Sequence, residues 1–92
     1  MEFEWDDDKA ATNITNHNVT FAEAATVFDD ALADDFYDED HSDDEARSIR
    51  IGEAIQTGRI LFVSYTERGD KIRIISARVA NGREQREYET GE

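Results

Sequence analysis

The 92-residue chain has no cysteine, no proline, a single methionine and a single tryptophan. Without cysteine there is no disulfide, no thiolate metal site and no cysteine nucleophile, and the redox compartment is left open. No apolar run approaches the roughly 18 residues of a membrane span, and the acidic start Met1-Glu2-Phe3-Glu4-Trp5 lacks the basic region and apolar stretch of a secretory signal. A soluble, cytoplasmic protein is expected. Basic residues are scarce in the first half: residues 1–45 carry 16 of the 23 acidic side chains against Lys9 alone, whereas residues 46–92 carry 7 acids and 9 bases. A net charge of -13 is therefore split into about -15 and +2, which predicts two differently charged surfaces.

A chain of this length has room for one domain, 1–92, burying about 60 to 65 per cent of its unfolded surface, so a deep enclosed site is not expected. Although 36% of residues are charged, the apolar ones recur periodically, as in a folded chain. The acid excess has two readings: a solvated surface of the kind suited to high salt, or a face for a basic partner.

Phe3 and Trp5 alternate with Glu2 and Glu4, as in a short strand with one buried face. Asp6 or Asp7 caps a helix running to about Asn16, with Ala10, Ala11 and Ile14 on one side and Asn18 as its stop. Thr20 and Glu23 form the pattern of a capping box for a second helix, in which Phe21, Ala24, Ala25 and Phe28 keep helical spacing as far as Asp29. Ala31 to Tyr37 reads as a strand, and Asp38 to Glu45, with no apolar residue, as an exposed loop. Arg47–Ala54, Ile60–Thr66 and Lys71–Val79 read as strands joined by turns at Gln56–Arg59 and Arg68–Asp70. The most apolar, Ile60–Thr66, belongs at the centre of the sheet. Asn81 to Tyr88 is a short terminal helix. The order gives an α+β fold: an antiparallel sheet of about four to five strands, two N-terminal helices and a short C-terminal one, with the helices on one side and the other sheet face free for function.

Arg47, Arg68, Arg73, Arg78, Arg83 and Arg86 form a basic set in an acidic chain. Guanidinium groups grip phosphate through paired charge-assisted bonds and offset charge in a phosphoryl transition state. Arg73 and Arg78, five positions apart, point to opposite faces of a regular strand, and only a bulge, or the end of the strand, brings both to one site. Lys9 and His17, two helical turns apart, share a side of the first helix. Histidine is the usual proton-transfer group near neutral pH, though one closing a helix also serves as a cap. His41, among carboxylates, reads as surface charge balance. No HxxxH, HxH or Glu-x-x-His pair, no EF-hand spacing, no G-x-S-x-G turn and no glycine-rich nucleotide loop occurs. No metal or cofactor is expected.

Taken in order, Phe3-Glu4-Trp5-Asp6 with Lys9, Asn16 to Asp30, Asp40-His41-Ser42 and Tyr65 to Arg78 resemble the BrnT family over nearly the whole chain. The resemblance implies a RelE-like fold, a type II toxin that cleaves RNA without metal through attack of the 2′-hydroxyl, and neutralisation in a complex with a BrnA-like antitoxin. It implies Arg68, Arg78 and Arg83 as phosphate-gripping residues, and His17, Lys9, Glu84 or Tyr88 for proton transfer. Arg47, Arg73, Arg86 and Tyr88 would contribute to RNA binding. Two positions depart from the family pattern: Asn18 stands where glycine is usual, and the run Val79–Arg86 has only two arginines where relatives are richer in bases. Fewer phosphate contacts mean weaker RNA binding. The competing expectation is a non-catalytic partner-binding module of the same fold.

Overall fold

The computed structural model describes residues 1–41 and 45–91. Strand β1, Glu2–Glu4, turns Phe3 inward against Phe28, with ring centroids 5.3 Å apart. Asp6 caps α1, Asp7–His17, by accepting the Lys9 N–H at 3.0 Å, and Asp7 and Asp8 lie where the helix dipole favours negative charge. Asn18 ends the helix in the left-handed conformation, φ 54°, which a short polar side chain tolerates. Thr20 caps α2, Phe21–Thr26, which tightens into a 3₁₀ turn over Val27–Asp29. Only half of the expected capping box forms. Thr20 Oγ1 accepts the Glu23 N–H, but the Glu23 carboxylate turns to Arg59 and the Thr57 hydroxyl, because a guanidinium outcompetes a single amide as donor.

Strand β2, Asp34–Tyr37, starts later than expected because Asp30 accepts the Leu32 N–H and holds residues 31 and 32 in a turn. A 3₁₀ turn over Glu39–His41 follows. Of the expected acidic loop, residues 42–44 lie outside the described residues, and Asp38 is half-buried rather than exposed. Strands β3, Ser48–Glu53, β4, Ile60–Arg68, and β5, Lys71–Val79, form a meander, and α3, Gly82–Thr90, closes the chain. A full capping box does form here: Asn81 accepts the Glu84 N–H while the Glu84 carboxylate accepts the Asn81 N–H.

The five strands are ordered β1-β5-β4-β3-β2, with β4 at the centre. The sheet is mixed and not antiparallel throughout, since β1 runs parallel to β5 with Phe3 opposite Ile72. Alternation in a three-residue strand marks its buried side but not the direction of its neighbour. The helices are also not all on one side. Helices α1 and α2 pack on the β5 side of one face, whereas α3 crosses the end of the sheet near β3. There Tyr88 donates to Asp30 at 2.6 Å, and Glu84 reaches Arg78 on the opposite face.

Val19, Phe21, Ala24, Val27, Leu61, Val63, Tyr65, Ile72, Ile74 and Ala77 form the core between the sheet and the first two helices. Within it lies one buried amide. Asn13 donates to the Val19 and Ala77 carbonyls at 2.8 and 2.9 Å and accepts the Ala77 N–H at 3.0 Å. β1 ends at Glu4, opposite Arg73, so the Asn13 side chain takes the place of a strand along the next part of the β5 edge.

Candidate active site

The register between β4 and β5 slips by one residue. Tyr65 faces Ile74 and Ser64 faces Ser76, which leaves Ile75 as an extra, bulged residue. Beyond the bulge the alternation of β5 is reset. Arg73, opposite Thr66, and Arg78, opposite Phe62, therefore share the sheet face turned away from α1 and α2. The bulge puts the two arginines on one face but not at one site, since Arg73 is paired with Glu4.

Two depressions meet at this bulge, because Ile75 and Ser76 line both. One, of about 300 Å³, runs between α1 and β5 and is lined by Asp8, Lys9, Thr12, Asn13, Asn16 and His17. The other, of about 580 Å³, lies on the outer sheet face and gathers Asp38, Asp40, His41, Arg47, Ser64 and Arg78 with Ile49 and Phe62. The shared wall is thus the bulged Ile75 with the small hydroxyl of Ser76.

Arg78 is held from two sides. Its guanidinium stacks on Phe62, 3.9 Å from the ring centroid, and Nη1 and Nη2 donate to the two Glu84 oxygens at 2.8 and 2.9 Å. The Arg78 hydrogen bond holds Glu84 below the usual carboxylate range, outweighing its partial burial, so Glu84 stays ionised as an anchor. Phe62 in turn meets Phe36 edge to face, with centroids 6.5 Å apart. The result is a cation fixed in direction before any ligand arrives.

Over residues 5–84 the sequence matches the family described as the ribonuclease toxin, BrnT, of type II toxin-antitoxin systems. The chain belongs to the BrnT family. No curated protein matches it. Family membership makes this chain a ribonuclease toxin, with RNA as substrate and an antitoxin as partner.

On this BrnT chain the expected residues fall into two groups. Lys9 and His17 line the first depression, and Arg47 and Arg78 the second, with Glu84 directly behind Arg78. The others stand apart from both. Arg68, at the hairpin tip, donates to Glu45 at 2.8 and 3.0 Å and lies 4.0 Å from Glu4, while Arg73 pairs with Glu4 at 2.7 Å. Arg83, 83% exposed, pairs with Glu87 one helical turn on, and Arg86 is exposed on α3. Tyr88 is the latch of α3: burial and then its bond to Asp30 push its hydroxyl up to about 12.

Sequence reading passed over Asn13, Phe62, Ser64 and Ser76, which either line the depressions or hold their walls. Phe62 carried a usable signal, since it lies on the polar parity of an otherwise apolar strand. A second polar cluster lies behind the sheet. Arg50 stacks on Phe28 at 5.1 Å and donates to the Val27 and Asp30 carbonyls at 3.0 Å and to Asp35, which also accepts from Tyr65 at 2.7 Å. Burial and then Asp35 push the Tyr65 hydroxyl far above its usual range. This cluster ties β2 and the 27–30 turn to the sheet and faces neither depression.

Proposed function

We propose that the RNA backbone lies along the two depressions and is cut, without a metal ion, at the phosphate held by Arg78. The observation that carries this is the meeting of both depressions at the Ile75 bulge, with the stacked and carboxylate-anchored Arg78 on one side and Lys9 with His17 on the other. The groove supplies its own cations in the side chains of Lys9, Arg47 and Arg78. In the reaction the 2′-oxygen bonds to phosphorus, its proton passes to a base, and the 5′-oxygen leaves as it gains a proton. Arg78 offsets the charge that builds on the phosphoryl oxygens, with Arg47 beside it. Lys9 and His17 hold the neighbouring nucleotide's phosphate. Within this reading the fold is RelE-like, the protein works in the cytoplasm, a BrnA-like antitoxin neutralises it, and larger assemblies form through that partner.

Arg68, Arg73 and Arg83 already face carboxylates of their own chain. These pairs favour a second reading, a partner-binding module that does not cut RNA. Cleavage of RNA by purified Arg78→Ala decides between them. The expected loss is on the order of 10²- to 10³-fold in kcat, while Arg83→Ala stays within about threefold of the parent. An unaltered rate for Arg78→Ala removes the catalytic assignment.

A further inference from the structure

We infer that His41, oriented by Asp38, is the proton-transfer residue of the Arg78 cavity. The inference rests on the ribonuclease reading and names the group that reading leaves open. The 3₁₀ turn over Glu39–His41 folds His41 back on Asp38, whose two oxygens lie 3.2 and 3.0 Å from Nδ1. The two partners are unequally placed. The Asp38 side chain is only 12% exposed, that of His41 66%. A carboxylate at Nδ1 keeps the proton there in the neutral ring, leaving Nε2 as a bare acceptor on the accessible side. A half-buried carboxylate that fixes the tautomer of an accessible imidazole is an arrangement by which a histidine takes up and returns a proton.

The surroundings separate this pair from an ordinary surface ion pair. His41 lines the same cavity as Arg47, which immediately precedes β3, and Arg78 of β5, with the hydroxyls of Ser64 and Ser76 on its floor. Among the described residues, the charged groups facing it are Asp38 and Asp40 from its own segment and the two arginines across the cavity. The other proton-transfer candidates are differently engaged. Glu84 is committed to Arg78, and Tyr88 to Asp30 away from the cavity, while His17 and Lys9 belong to the adjoining depression. The step balances without a cofactor. Nε2 takes the 2′-hydroxyl proton as the 2′-oxygen bonds to phosphorus, the bond from phosphorus to the 5′-oxygen breaks, and that oxygen leaves with a proton from water. The products are a 2′,3′-cyclic phosphate end and a 5′-hydroxyl end.

The test measures cleavage of a mixed-sequence RNA oligomer, and of the same oligomer with 2′-deoxyriboses, by the full chain and its His41→Gln, Asp38→Asn and His17→Gln variants across pH 5 to 9. His41→Gln is expected to lower kcat about a hundredfold, with KM and the melting midpoint held near the parent values. His17→Gln should act mainly on KM. Asp38→Asn should lower kcat less, again with KM and the melting midpoint near the parent values, a split that a purely structural role would not produce. Parent-like kcat in a folded His41→Gln overturns the inference and leaves the ribonuclease reading standing. A parent chain that binds the oligomer but cuts neither form overturns both.

Discussion

Replacing Asn13 should destabilise this chain more than replacing any arginine of the groove. The side chain is 5% exposed and makes three hydrogen bonds to backbone groups, two donated and one accepted. Asn13→Ala leaves the Ala77 N–H with no replacement, and the Val19 and Ala77 carbonyls each short of a donor. A buried polar group left unpaired costs roughly 1–3 kcal/mol, and carbonyls tolerate the loss better than an N–H, so the sum is about 3 kcal/mol. Against a total of about 5–15 kcal/mol for a small domain this is a large fraction. It corresponds to a fall of about 12–24 °C in the melting midpoint. In urea the midpoint should drop while the slope is kept, since the surface exposed on unfolding is nearly unchanged. Asn13→Asp supplies a sharper check at nearly constant shape. The new carboxyl still accepts the Ala77 N–H, but when ionised it sets an oxygen against two carbonyls. Its folded-state pKa is therefore raised, and the variant should be most stable in acid and lose stability as pH rises through that value. A cost below about 1 kcal/mol for Asn13→Ala, or a pH-independent Asn13→Asp, would refute the reasoning.

Other outcomes follow from the same contacts. Glu23 and Glu84 are held below the usual carboxylate range by Arg59 and Arg78. Their contribution is present above the unfolded value and lost as pH falls through the lowered folded values, so the melting midpoint should decline below about pH 4.5. Glu84→Gln should flatten that decline and speed hydrogen exchange in α3. Tyr88→Phe removes the 2.6 Å bond to Asp30 and should cost about 1 kcal/mol; because the Tyr88 hydroxyl is raised to about 12, the loss seen in the parent above about pH 10 should shrink in this variant. With a net charge of -13, added salt should raise the melting midpoint, since screening shortens to about 3 Å at 1 M; a midpoint that falls with salt would show the surface ion pairs to outweigh the repulsion.

Local features of the fold were legible because they are encoded within a few residues. Asp6 and Asn18 bracket α1, Thr20 starts α2, and the apolar content of Ile60–Thr66 puts β4 at the sheet centre, all as the residues imply. What failed was pairwise and distant. The partner of the Glu23 carboxylate is Arg59, 36 positions along, and no local rule chooses it over the amide three residues back. The parallel pairing of β1 and the placing of α3 across the sheet end depend on which edge and which end remain uncovered once the meander has formed.

The sequence by itself determined the element types, the charge division between its halves and, through residues 5–84, the family. Short-range propensities, alternation and capping are properties of neighbouring residues, and motif order survives in a linear string. Only the tertiary structure decided the site. A single extra residue at Ile75 resets the parity of β5, brings Arg73 and Arg78 to one face and joins the two depressions. That bulge is a matter of register between two strands, which neither strand specifies alone. The same holds for His41, a charge among carboxylates in the sequence, which the fold places beside Asp38 in the cavity of Arg47 and Arg78.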